Sequence, residues 1–302
     1  MQYRQLGKTD LQVSSIGMGC VTFGREIDRD KSFAVLDHAT ERGITLLDTA
    51  EAYAAGESEV VLGEWIADRG VRDQIVLATK VAGSLTAKAV IDSAEASLRR
   101  LRTDRIDLFQ LHNWDNVVPV EETLDALGRL VQQGKARYCG CSNWAAWQLG
   151  KALLSVPTVG AVRMESVQPP YNLVQREIEP DLLPMCVDQQ VGVLAYSPLG
   201  AGFLTGKYRR GGEVPRGTRF DVIPDHQPIY FTDAGFRIME GLRQTARELG
   251  RSMIDVALAW VIGRLGVTSV LIGARHPNHV DQAFEAERAG LSDELAERLG
   301  RL

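Results

Sequence analysis

Apolar positions along this chain switch between two periods. Short, mostly apolar runs such as Ile44-Thr45-Leu46-Leu47 alternate with stretches where apolar residues return every three positions, as Phe33, Leu36 and Ala39 do ahead of Gly43. The first kind reads as a buried strand, the second as an amphipathic helix. Strands are expected at 16–21, 44–48, 74–80, 105–111, 136–141, near 161–167, at 191–196 and at 269–272. Helices are expected at 30–43, 57–69, 87–101 with Thr86 as N-cap, from Pro119 to Gly134, at 145–154, 177–190, 233–250 and 253–265, and after Ser292. Ahead of them, residues 2–14 alternate about Gly7-Lys8-Thr9-Asp10, which reads as a hairpin.

Strands that alternate with helices pair in parallel through right-handed crossovers. Eight such units in 302 residues predict an α/β fold, a closed (β/α)8 TIM barrel with an N-terminal β-hairpin. No linker divides the chain, so one domain is expected over 1–302. The stretch 199–230, with Gly211-Gly212, Pro215, Pro224 and Pro228, is long and irregular and reads as a lid over the barrel's upper face.

In such a barrel the carboxyl ends of the strands form one cup, where active sites sit. Three consecutive strands end in proton-handling side chains, Asp48, Lys80 and His112, and Tyr53 follows five residues after Asp48. Each has an ordinary reading by itself: a turn or capping aspartate, a snorkelling lysine, a core histidine, a half-buried tyrosine. Together they form a constellation suited to acid catalysis by a phenol. A free tyrosine has a pKa of ~10, and a nearby ammonium favours the phenolate and so strengthens the acid. A depression of about three units corresponds to roughly 4 kcal/mol. Asp48 would hold Lys80 charged and in place, and His112 would orient a carbonyl. Such a site protonates an oxygen while another group attacks the carbon.

Composition narrows the partners. Apolar residues are 45% and charged residues 24%, enough for a large core, and the formal net charge is -5. No basic stripe runs along the chain, so no nucleic-acid partner is expected. Met1 to Leu6 lacks the pattern of a signal peptide, and no apolar run is long enough to span a bilayer. The expectation is a soluble cytoplasmic protein with no membrane partner; a homo-oligomer is compatible with the sequence. Cys20, Cys139, Cys141 and Cys186 are too few and too irregular for a disulfide framework. Cys139 and Cys141 could bind metal, but burial on a strand is the simpler reading, and no metal is expected.

The protein supplies no attacking group of its own: Gly-x-Ser-x-Gly, His-Glu-x-x-His and the phosphate-loop motif are all absent. A nicotinamide hydride would fill the gap. Gly17-Met18-Gly19 and Gly200-Ala201-Gly202 are only partial matches to a dinucleotide fingerprint.

The ordered motifs resolve this. They are Asp48-Thr-Ala-Glu-Ala-Tyr53 with Gly56 and Ser58-Glu59, Ala78-Thr79-Lys80, Asp107-Leu-Phe-Gln-Leu-His112, Gly134-Lys135, Ser142-Asn143, Gln168 with Tyr171-Asn172, Tyr196-Ser197-Pro198-Leu199-Gly200, Leu204-Thr205-Gly206-Lys207-Tyr208 and Ile272-Gly273-Ala274-Arg275. From Tyr3 to about Gln282 the chain resembles the aldo-keto reductases, and it looks closest to the branch with bacterial general reductases and potassium-channel beta subunits. The resemblance implies NADP(H) extended across the barrel's upper face, Tyr53 as general acid tuned by Lys80 and Asp48, and His112 orienting the carbonyl. It further implies that Asn143 and Gln168 bind the nicotinamide carboxamide, that Tyr196 stacks on the ring, and that backbone of Ser197, Leu199, Gly200 and Gly202 holds the pyrophosphate. Gly273, Arg275, His279 and Gln282 match the adenosine end, with Arg275 by the 2'-phosphate. His279 stands where the branch commonly has Gln, Gln282-Ala283 where it has Glu-Asn, and Ala54 where it has Gly. Phe23, Trp114 and Trp144 follow strand ends and are expected to line a pocket for a small carbonyl or alcohol substrate. The main expectation is an NADPH-dependent carbonyl reductase. The alternative is an NADP(H)-sensing regulatory subunit with little turnover, and a Schiff-base lyase using Lys80 is a more distant one.

Overall fold

A computed structural model describes residues 1–159 and 162–302. Eight parallel strands close into a barrel in the order β10-β3-β4-β5-β6-β7-β8-β9. They are β3 (Ile16–Gly19), β4 (Leu46–Asp48), β5 (Val76–Val81), β6 (Ile106–Leu111), β7 (Ala136–Ser142), β8 (Met164–Gln168), β9 (Gly192–Ala195) and β10 (Val267–Ile272). The expected TIM barrel is therefore present. The sixth barrel strand was expected near 161–167, and position 161 lies outside the described residues; the strand itself begins at Met164.

Period-two alternation sorts the barrel side chains into two cores. Leu46, Val76, Ala78, Leu108, Leu194 and Leu271 face the interior. Their neighbours Leu47, Leu77, Phe109, Val167, Val193 and Val270 face outward and pack with the helices. Cys139 and Cys141 belong to the outward set, fully buried, so apolar packing explains their spacing.

The hairpin of β1 (Tyr3–Gln5) and β2 (Gln12–Ser14) pairs Tyr3 with Ser14 and Gln5 with Gln12. It places Leu6, Leu11 and Val13 against the interior layer. The plug seals the end of the barrel opposite the strand tips.

Helices α1 (Arg29–Glu41), α2 (Glu57–Arg69), α3 (Ala87–Arg100), α4 (Val120–Gln132), α5 (Ala146–Val159) and α6 (Leu182–Gln189) connect successive strands. Thr86 caps α3 as expected, by accepting from the Ala89 N–H. Helix α6 starts five residues later than the sequence pattern indicated. Asn172 folds the preceding segment into a turn by accepting from the N–H groups of Val174 and Gln175, and Asp181, after Pro180, caps the helix.

The lid over 199–230 carries two short helices, α7 (Arg219–Val222) and α8 (Gln227–Tyr230). It is not a free flap, because Phe203, Tyr208, Phe220 and Tyr230 are buried in one aromatic cluster. Beyond it lie α9 (Asp233–Glu248), α10 (Met253–Ile262), α11 (Pro277–Ala289) and α12 (Asp293–Gly300), the last capped by Ser292 as expected.

Candidate active site

The parity that turns Leu46, Ala78 and Leu108 inward also turns Asp48, Lys80 and Gln110 inward, one layer nearer the strand tips. The Lys80 ammonium, fully buried, donates to Asp48 Oδ2 at 2.5 Å, to the Thr49 carbonyl at 2.9 Å and to Tyr53 Oη at 3.2 Å. An ammonium has three N–H groups and no lone pair, so all its capacity is used. Two consequences follow. Lys80 has no free electron pair for a Schiff base: burial is the largest single influence and lowers its pKa, but Asp48 and Tyr53 together outweigh burial and raise it. Tyr53 Oη accepts from Lys80, so its own proton is not used in that bond.

Asp48 is held from its other side. Its Oδ1 accepts from Gln110 Nε2 at 3.0 Å and Gln168 Nε2 at 2.9 Å. Gln110 was not singled out from the sequence, although it shares its parity with His112. The structure thus places the Gln168 amide on Asp48 and Gln110, deep in the barrel, and not on the rim.

Burial is the largest influence on the Tyr53 phenol and raises its pKa, with Lys80 pulling the other way. The expected depression is therefore not found in the protein alone, because desolvation of a phenolate outweighs one ammonium already engaged with a carboxylate. The phenol is protonated at neutral pH. His112 stands edge-on to Tyr53, ring centroids 5.9 Å apart. Burial first, and then Lys80, lower the His112 pKa to about 4, so the imidazole is neutral and can donate one hydrogen bond.

The turn carrying Tyr53 is strained. Ala54 and Ala55 both adopt left-handed backbone, with φ of 50° and 54°, and Gly56 follows at 93°. Such conformations disfavour any residue with a Cβ. Neighbours hold the turn in place. Glu51 accepts from the Ala82 N–H and from Ser93 Oγ, both at 2.6 Å. Buried Glu59 accepts from Thr79 Oγ1 and Arg100 Nε, also at 2.6 Å, and the Arg100 side chain packs under Gly56.

At the rim, Asn143 donates to the His112 carbonyl at 3.0 Å and accepts from Tyr196 Oη at 2.8 Å. Beyond Tyr196 the chain repeats left-handed geometry at Ser197, Gly200, Ala201 and Gly202, a pattern that gathers N–H groups into anion-binding concavities. Leu199 lies between and accepts from the Gly202 N–H. Gly273, Arg275, His279 and Gln282 are exposed at the end of β10 and the start of α11. Partial burial first, then Arg275, lowers the Lys207 pKa; burial, then Arg25 and more weakly Arg275, lowers that of Arg219 against the opposing pull of Glu26; and partial burial of the ring, then Arg275, His276 and Lys207, lowers that of His279. Lys207, Arg219 and Arg275 thus bring positive charge together, with Arg219 also paired to Glu26 at 3.1 Å and His279 neutral beside them, which suits an anion. Lys207 and Arg219 were not assigned roles from the sequence; the fold brings their charges within electrostatic reach of Arg275.

Among the expected pocket residues, Phe23 is fully buried and Trp144 is 3% exposed. Both belong to the core, because the segments after their strands fold back under the rim. Only Trp114 is part-exposed, and it packs edge-on against Trp144 and against Trp147.

A model of the "Aldo/keto reductase family" matches residues 15–302. The chain belongs to the aldo/keto reductase family. Among its relatives is the "Probable voltage-gated potassium channel subunit beta" of Arabidopsis thaliana, 32% identical over 95% of this chain and 91% of that protein. Others are "Aldo-keto reductase YhdN" of Bacillus subtilis, 33% identical over 94% of this chain and 88% of that protein, and "Norsolorinic acid reductase B" of Aspergillus parasiticus, 33% identical over 97% and 82%. As an aldo/keto reductase the chain is of an oxidoreductase family, and among the described residues no helix is long and apolar enough to cross a membrane.

Proposed function

We propose that this aldo/keto reductase reduces an aldehyde or ketone to an alcohol with NADPH, Tyr53 acting as the general acid. The observation that carries the proposal is the direction of the Lys80 hydrogen bonds: the ammonium donates to Asp48, Thr49 and Tyr53, which leaves the phenolic proton as the one the site can give away. A phosphate-bearing dinucleotide fits the donors present. The left-handed loop from Ser197 to Gly202 would hold its pyrophosphate, and Arg275, supported by Lys207 and Arg219, its 2'-phosphate. Asn143, Gln168 and Tyr196 would hold the nicotinamide, with Gln168 turning from Asp48 to do so. When bound, the cofactor supplies the hydride.

The chain's own residues do the rest. Neutral His112 orients the substrate oxygen by donation, and Tyr53 passes its proton to that oxygen as negative charge develops. Lys80 then stabilises the phenolate left behind, and Asp48 keeps Lys80 charged. Wild-type protein with NADPH and a panel of reactive aldehydes, nitrobenzaldehyde and methylglyoxal among them, should yield alcohol in proportion to NADPH consumed. NADPH binding without alcohol from any member of the panel contradicts the proposal.

The channel-subunit relatives favour a second reading, a regulatory protein that binds NADP(H) and turns over little. A stable partner in pull-down together with negligible turnover would decide for it.

A further inference from the structure

The lid and α9 line an open groove of about 350 Å³ on the outside of the barrel. Arg209 and Arg210 reach it from the lid, and Arg237 and Arg243 from α9. Arg210 pairs with Asp233 at 3.0 Å and Arg243 pairs with Glu240. Among the described residues Arg209 and Arg237 have no carboxylate partner. Four guanidinium groups against two carboxylates leave two positive charges at one spot on a chain whose formal net charge is -5.

Two charges are what a phosphate monoester neutralises, since it carries about -1.5 to -2 at neutral pH. Guanidinium forks match phosphate oxygens in pairs, which an ammonium cannot do. The floor is apolar: Phe236 and Met239 line it, and Arg210 lies over the Phe236 ring with 5.8 Å from Cζ to the centroid. Phe236 packs edge-on against buried Phe203, which fixes the floor. The volume suits a small molecule with a compact body.

We infer that this groove binds a small organic phosphate, its phosphate among Arg209, Arg237 and Arg243 and its apolar body on Phe236 and Met239. The groove's lining includes neither the strand-tip residues nor Arg275, and the inference holds whether or not the chain reduces carbonyls.

Calorimetric titration with phenyl phosphate and with inorganic phosphate tests it. Wild-type protein should saturate with phenyl phosphate at micromolar to low millimolar concentration, and more weakly with inorganic phosphate, which lacks a body for the floor. Arg209→Glu and Arg237→Glu, both at exposed positions, should each weaken phenyl phosphate at least tenfold while thermal unfolding is unchanged. Arg275→Ala should leave the affinity as it was. No saturation by either compound in wild type overturns the inference. So does binding that survives both charge reversals, or binding lost in Arg275→Ala, which would place the anion in the cofactor groove.

Discussion

Lys80 and Asp48 meet where water does not reach, and that fixes what their loss should do. Removing one partner of a buried ion pair strands the other charge, a loss on the order of 3–5 kcal/mol. Lys80→Met should therefore lower stability by about that much in urea unfolding, besides any effect on turnover, and a change under about 1 kcal/mol would mean the pair is hydrated. The strained turn gives the opposite sign. Ala54 holds φ at 50° where a glycine would sit without strain. Left-handed backbone costs an alanine roughly 1–2 kcal/mol, and glycine's freer unfolded chain returns part of that. Ala54→Gly should stabilise the protein by about 0.5–1 kcal/mol, and a loss of stability would show that the turn relaxes in solution. At this scale the strand-tip residues were legible because period two and barrel topology are simple. Gln110 escaped because an amide on a buried strand looks like any polar interruption. The Glu59 to Arg100 link escaped because its ends are 41 positions apart.

At the scale of elements, the hairpin and the lid bracket the barrel at its two ends. Leu6 is fully buried in the interior core, and it packs against Gly192 at the closed end. Leu6→Ala should lose about 2–5 kcal/mol and leave KM for carbonyl substrate unchanged, because the plug faces away from the cup; a shifted KM would tie the two ends together. Eight strands and most helices followed from hydrophobic period. Helix α11 did not, although His276 caps it and Pro277 opens it. Its buried face is Val280, Ala283, Ala286 and Glu287, a stripe of small residues and one carboxylate that carries little hydrophobic signal. The lid's order was hidden for another reason: aromatic residues spread over Phe203 to Phe231 cluster only in three dimensions.

For the molecule as a whole, pH separates structure from chemistry. The folded protein holds His112 near pKa 4, below the ordinary value of about 6.5. A depressed pKa means that the unfolded chain binds the proton more readily, so the contribution to stability is full above pH ~6.5 and is lost as pH falls toward 4. Wild type should show this loss in unfolding midpoints between those values, and His112→Gln should show less of it; identical slopes would remove His112 from the account. Chemistry should respond at the other end. The raised Tyr53 pKa keeps the phenol protonated through the neutral range, so carbonyl reduction should stay flat there and fall only above pH ~10.

Tyr53→Phe tests the central claim most directly, since it removes one oxygen and leaves the Lys80 to Asp48 pair intact. Single-turnover reduction of a reactive aldehyde, followed by loss of NADPH fluorescence, should slow by about 10²–10⁴-fold while NADPH affinity changes little. Wild-type rates in Tyr53→Phe would contradict the assignment of the proton to Tyr53.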